Sequence, residues 1–355
     1  MKVLYLYSGK RKGKRYGQIG TDCPDTQFYG LNHLSKYGVK AEYKEFEDFW
    51  LTRFLGKFLS FRWRHFFMFF AVRGYDLVFG SSLIYLMPLK IVFRSKAKFV
   101  LLNIYLNRLL AANKKKFLKF GLIKFLIKRL DGVVCLSNVQ KEYLIENYDF
   151  PREKAFLVPL GVDIDFHQYV SDQKRQDFIL SVGSDDGRDY QIVLKIAKLY
   201  PDLKFVIVCG QKNMAGIKGE IPDNLKILYY ISPNELRELY QQARIFLMTT
   251  YPDGHSQGAD CSGQTVLLDA MASGLPIIAN KKAYLSDYAE GNQDILITNS
   301  NSVEDFKEKM DLLLSNQDLR RQLAQSARKK VENNFSSQLM AKKLADCFER
   351  TINSK

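Results

Sequence analysis

Short, almost wholly apolar runs alternate along this chain with longer segments whose apolar residues recur every three or four positions. Runs of the first kind are Lys2–Tyr7, Val39–Phe46, Asp76–Gly80, Lys98–Leu102, Asp131–Ser137, Phe178–Val182, Lys204–Cys209, Leu225–Leu228 and Ile245–Met248. Most of them are apolar at consecutive positions, which predicts strands buried on both faces, as in a parallel sheet. The second kind predicts helices over Thr26–Tyr37, Lys114–Leu130, Asn138–Tyr148, Asp189–Tyr200, Ser232–Gln242, Ser302–Ser315, Gln317–Asn334 and Ser336–Thr351. Strand and helix alternate, and the alternation restarts near Phe178. An α/β protein with doubly wound parallel sheets follows, and 355 residues leave room for two domains with full cores.

One stretch organises the rest: Ser262–Ile278, SGQTVLLDAMASGLPII. It reads as a Ser-Gly turn, a helix Gln264–Ala272, a left-handed cap at Gly274 and a buried strand from Ile277. A helix that begins at a Ser-Gly turn points unpaired N–H groups and a positive dipole end into the space before it, which suits a diphosphate. Asp269 sits further along the helix with a carboxylate suited to two neighbouring sugar hydroxyls. A plain loop-to-helix junction with a surface Asp is the alternative reading of the same residues.

This stretch resembles the donor-site signature of the GT-B glycosyltransferases of the retaining family-4 type: Glu, seven residues, Glu, then Ala-Met-Ala-x-Gly-x-Pro-Val-Ile. The resemblance covers most of residues 130–350 and implies two Rossmann-like domains facing each other across a cleft. The domains would be 1–160 for the acceptor, 161–335 for the nucleotide sugar, and 336–355 as a helix crossing back to the first. Asp269 falls on the second Glu, which in the family holds the ribose. The first Glu falls on Cys261, a departure, with Asp260 one residue away and Asp253 further back in the long polar loop Thr249–Cys261. Asp260, Asp253 and His255 are that loop's titratable groups and its catalytic candidates. By the same resemblance Gly183 and Arg188, with Ser262, Gly263, Gln264 and Thr265, would bind the donor diphosphate. The basic residue usual after the Gly is Ser184 here. Arg15, Gly17 and Gly20 would lie on a cleft loop, and Asn103 stands where the family often has a His that reaches the donor sugar. The nucleotide sugar is the donor substrate, with no cofactor and no metal; Asp163-x-Asp165 lies in the interdomain link and is read as a turn.

Charge then adds a second theme. The net charge is +15, with 29 Lys/Arg against 12 Asp/Glu in residues 1–160 and near balance afterwards. Phe49–Arg73 carries both tryptophans, eight phenylalanines and no acid, and Lys114–Leu130 carries seven basic residues and no acid. Aromatic and basic residues together suit a bilayer interface, so Trp50, Phe54, Phe58, Trp63, Lys114, Lys115 and Lys116 are read as contacts to an anionic membrane surface. A core helix is the alternative for each stretch. Five scattered cysteines without a C-x-x-C pair, and an apolar start followed by basic residues rather than the reverse, suggest a cytoplasmic protein held at the inner face of the cell membrane. The expected function is transfer of a sugar, with retention, to a lipid-linked or glycan acceptor in surface polysaccharide or glycolipid assembly. Three alternatives remain at this point: a GT-B sugar-nucleotide epimerase, a non-catalytic GT-B subunit binding an anionic partner, and a nucleic-acid binder, which would leave the donor motif unexplained.

Overall fold

The computed structural model of the chain describes residues 1–9, 23–45, 48, 67–253, 261–299 and 301–354. Arg15, Gly17, Gly20, Trp50, Phe54, Phe58, Trp63, His255 and Asp260 lie outside these described residues. The chain divides into two compact units. The first consists of Met1–Gly17, Phe28–Pro159 and Gln338–Lys355; the second of Gln18–Gln27 and Leu160–Ser337.

In the first unit six parallel strands are ordered β2-β1-β3-β4-β5-β6. They are β1 (Lys2–Tyr7), β2 (Lys40–Glu45), β3 (Leu77–Gly80), β4 (Lys98–Asn103), β5 (Gly132–Cys135) and β6 (Ala155–Leu157). Pairings such as Leu4 with Val78 and Phe79 with Val100 set the register. Leu77–Gly80 and Gly132–Cys135 are buried at every position, which explains why they read as unbroken apolar runs. The helix Ser337–Asn353 packs on this sheet through Phe348, which lies edge-on to Tyr5 and Phe79 with ring centroids 6.4 and 5.3 Å away. Burying Phe348 completely is worth about 1.5–3 kcal/mol.

The helix expected over 26–37 is broken into two 3₁₀ segments, Thr26–Phe28 and Leu31–Tyr37. Tyr29 and Gly30 between them have φ of 50° and 74°. A Cβ on Gly30 would lie 2.9 Å from the backbone nitrogen of Ala341, so the break lets the C-terminal helix approach. The helix expected over 114–130 is present as Phe117–Lys128, starting after the three lysines, and a further helix, Leu106–Asn113, precedes them.

The second unit repeats the design in the order β12-β11-β10-β7-β8-β9, again parallel. Its strands are β7 (Phe178–Val182), β8 (Lys204–Cys209), β9 (Leu225–Tyr229), β10 (Ile245–Met248), β11 (Ile277–Asn280) and β12 (Leu296–Thr298). Ile179, Ile207, Leu247 and Ile278 meet the helices Tyr190–Leu199 and Val303–Ser315 in one core. The strand order reverses between β7 and β10, the place where ligands collect in doubly wound sheets. Asp163 is a turn residue, accepting backbone N–H groups from Asp25, Asp165 and Phe166. Arg175 fastens the unit at another point. Its guanidinium donates to six carbonyls, those of Tyr240, Gln241, Ala243, Val170, Ser273 and Gly274, at 2.8–3.1 Å.

Candidate functional site

The chain leaves the ends of β7 and β10 through two loops that are joined to each other. Asp189 N donates to Thr249 O, and Tyr251 N donates to Gly187 O. Gly183 follows β7 with φ 153°, and a Cβ there would sit 2.0 Å from Arg188 Nε. A Cβ on Gly187 would meet Ser262 Oγ at 2.2 Å. Both glycines are therefore required by close approach. Gly183, Gly187 and Arg188 lie in one loop, and Ser262, distant in sequence, meets them at the switch point.

Arg188 is buried, with 2% of its side chain exposed, and its Nε donates to Asp185 Oδ2 at 2.9 Å. It is thus paired with Asp185, as an Arg at a helix start can be, but it is no surface residue. Asp185 Oδ1 accepts the Gly187 N–H. Burial pushes the Asp185 carboxyl up; the Arg188 charge, the Ser262 hydroxyl and the Gly187 N–H together pull it further down, to below the ordinary carboxylate range. Burial likewise opposes the Arg188 charge, and Asp185 more than restores it.

The helix Gln264–Ala272 starts at Gly263, whose φ is 96°. A Cβ there would be 2.9 Å from Tyr284 Oη and 3.0 Å from Met248 Sδ. Tyr284 in turn donates to Ser262 O, fixing the turn. The first N–H groups of such a helix have no carbonyl one turn back to pair with. Thr265 is exposed in this first turn, whereas Gln264 is buried, and its amide has no hydrogen-bond partner among the described residues. Gly274 closes the helix with φ 63°, as its sequence position suggests.

Asp269 is 8% exposed rather than a surface residue. Its Oδ1 lies 3.2 Å from His167 Nε2, close enough for electrostatic interaction but without hydrogen-bond alignment. The imidazole is held edge-on by Phe166 and Tyr240. Burial and the Asp269 charge raise the Tyr240 hydroxyl well above its ordinary pKa.

Two expected site residues take other roles. Asp253 forms an ion pair with the buried Lys282 and accepts the Ala283 N–H, so it anchors the loop. Asn103 is fully buried; its Oδ1 accepts the Leu106 N–H and its amide donates to Asn107. Its side chain is therefore taken up by the first residues of the helix Leu106–Asn113, whose N-cap position is Tyr105. Lys114, Lys115 and Lys116 are exposed. The sequence offers Asp185 or Asp186 as a partner for Arg188 in the alternative reading of a surface Arg at a helix start; the structure selects Asp185 and buries the Arg. His167 was not singled out, because it meets Asp269 only through the fold.

In the first unit the ends of β1, β3 and β4 surround a cavity of about 240 Å³. Tyr5, Tyr7, Tyr29, Phe79 and Tyr105 line it, with Ser8 and Ser81 among its polar groups.

Comparison with known proteins agrees with this arrangement. Residues 164–330 match the family model of glycosyl transferases group 1, and residues 35–166 match that of glycosyltransferase family 4. The O-antigen chain mannosyltransferase RfbU of Salmonella typhimurium is 23% identical over 175 residues, 47% of this chain and 46% of that protein. The chain thus matches about half the length of that relative. Spore coat protein SA of Bacillus subtilis is 26% identical over 271 residues, 63% of this chain and 68% of that protein. Among solved structures, Anabaena Alr3699/HepE in complex with UDP-glucose is similar with a TM-score of 0.69 and 14% identity, covering 98% of each chain. Two parallel six-stranded sheets and these matches together identify the chain as a glycosyltransferase of the GT-B fold.

Proposed function

We propose that this glycosyltransferase moves a hexosyl group from a nucleoside diphosphate sugar to a membrane-associated, lipid-linked or glycan acceptor, with retention of configuration. The reaction is a step in surface polysaccharide or glycolipid assembly at the inner face of the cell membrane. The observation that carries the reading is Arg188, buried at the switch point beside Ser262 and the first turn of Gln264–Ala272. A buried guanidinium and a helix N-terminus side by side offer directed charge to a diphosphate, first bound and then leaving. That charge removes the need for a metal or another cofactor. Gly183, Ser262, Gly263, Gln264 and Thr265 bring backbone close to the phosphates, and Asp269 receives the ribose hydroxyls. The relatives support the substrate class: one is an O-antigen chain mannosyltransferase, and one similar structure is a complex with UDP-glucose.

The test is a thermal-shift panel with UDP, GDP, ADP and their sugar conjugates, followed by transfer assays. A ligand at 100 times its dissociation constant stabilises by about 2.7 kcal/mol. One nucleotide is expected to shift the transition selectively, and Arg188→Ala and Asp269→Asn to abolish transfer in folded protein. No shift with any nucleotide, or normal rates in both variants, would remove the reading. Transfer in EDTA is expected to continue, and a strict metal requirement would count against the electrostatic role given to Arg188.

A further inference from the structure

The helix Phe117–Lys128 has two apolar faces, and among the described residues only one of them is packed in the core. Ile123, Leu126 and Ile127 are buried in the core of the first unit. Phe117, Leu118, Leu122 and Phe125 are 87%, 85%, 57% and 47% exposed. At 100° per residue, Leu118, Leu122 and Phe125 fall within a sector of about 60°, with Phe117 at the start of the helix. Gly121 lies at the edge of the same sector and adds no side chain to cover it. Lys114, Lys115, Lys116 and Lys119 surround the helix start and are all exposed. Arg129 lies over the Phe125 ring, its guanidinium carbon 4.3 Å from the centroid. Lys124 and Lys128 face Asp149 and are paired with it. From Leu77 to Leu130 the chain carries twelve Lys/Arg and no Asp or Glu.

We infer that this helix is a membrane-insertion element: Phe117, Leu118, Leu122 and Phe125 enter the acyl boundary of a bilayer while the flanking lysines and Arg129 contact anionic headgroups. The charge argues for this occupant. A second copy of the chain docked through this face would bring the same basic surface against the helix, with Asp149 already paired to Lys124 and Lys128. A polyanion without hydrocarbon would satisfy the lysines but leave Leu118 and Leu122 in water. A bilayer containing anionic lipid meets both needs. The helix lies in the surface, since twelve residues span about 18 Å against about 30 Å of hydrocarbon. This inference rests on the membrane part of the reading above and is independent of the transfer reaction.

The experiment is co-sedimentation of the full chain with phosphatidylcholine vesicles, with and without phosphatidylglycerol. The wild type is expected to bind only the anionic vesicles, less tightly as salt rises. Leu118→Ser/Leu122→Ser/Phe125→Ser should lower affinity at least tenfold. Lys115→Glu and Lys116→Glu should each lower it about fivefold or more, equivalent to the ~1 kcal/mol that one basic residue gains near an anionic surface. All these positions are on the surface, so unfolding should not confuse the result, and an unchanged melting temperature and nucleotide shift verify that. The inference is overturned if the wild type ignores anionic vesicles, if the triple Ser variant binds as well as wild type, or if that variant instead dissolves a dimer. If vesicle binding behaves as expected while no nucleotide is bound, only the transfer reading falls.

Discussion

The Arg188–Asp185 charge pair, at the proposed donor site, should respond unequally to losing one member or the other. Arg188 has 2% of its side chain exposed, whereas Asp185 has 41%. Asp185→Ala leaves a cation in a place water does not reach. Breaking a buried pair in that way costs about 3–5 kcal/mol. For a unit of this size each kcal/mol moves the melting temperature by about 2–4 °C, so a fall of about 6–20 °C is expected. Arg188→Ala leaves a carboxylate that solvent already reaches, and it should cost distinctly less. The double variant, without the stranded charge, should melt above Asp185→Ala alone.

A bound nucleoside diphosphate would supply the missing negative charge to Arg188 in Asp185→Ala. Nucleotide should therefore raise the melting temperature of that variant by more than it raises the wild type's. Differential scanning calorimetry of the four proteins, each with and without nucleotide, gives all the comparisons. The reasoning is refuted if Arg188→Ala is as costly as Asp185→Ala, or if the double variant is the least stable. An Asp185→Ala protein that gains no more from nucleotide than the wild type would separate the pair from the donor site.

Three further outcomes are expected. Arg175→Lys can serve at most three of the six carbonyls now held by the guanidinium, and should cost about 3 kcal/mol or more in urea denaturation. Burial pushes the Cys135 thiol up to about 12 and Cys209 to about 11, so maleimide at mildly alkaline pH should label half-buried Cys23 and Cys261 while sparing these two; labelling of Cys135 in folded protein would contradict its packing. Two carboxyls should also respond to pH in opposite senses. The folded pKa of Asp185 is lowered, so its contribution to stability is present above about pH 4 and fades as pH falls through the folded value. The folded pKa of Asp163 is raised by burial and by Asp25, so Asp163 subtracts stability as pH rises through that value. Relative to wild type, Asp185→Asn should be penalised mainly at neutral pH, and Asp163→Asn should fare better at neutral pH than in acid; parallel pH profiles would defeat both assignments.

Most strands were legible because they are buried on both faces, so their apolar character survives every neighbour they have; the edge strands β2 and β9 are partly exposed and mix polar with apolar residues. The donor-type helix was legible for a local reason: Gly263 at its start and Gly274 at its end both adopt positive φ, which favours glycine. Features set by distant partners were not legible. Nothing within 26–37 shows that Ala341 will crowd Gly30 and break the helix. The helix Leu106–Asn113 escaped because its N-cap position, Tyr105, carries no capping side chain, and Asn103, which accepts its first N–H, lies at the end of a strand and reads there as a candidate for a ligand. The Asp253 carboxylate looked available until the fold brought the buried Lys282 to it.

The same distinction explains what the site owes to its motif and what it owes to the fold. Spacing can place a basic residue after a glycine turn, but it does not determine the solvation of that residue, which controls its use. Arg188 offers its charge effectively because Gly183 and Gly187 have no side chains and Ser262 can close over the loop. That burial would be too costly without Asp185, and Asp185 in turn takes part of the attraction that a phosphate would otherwise receive. In the proposed donor role, stability and donor affinity are therefore opposed at this pair. The partly exposed position of Asp185 reconciles them, because water can solvate its carboxylate when an anion draws Arg188 away. A fully buried Asp would stabilise the empty site more strongly and release the guanidinium less readily.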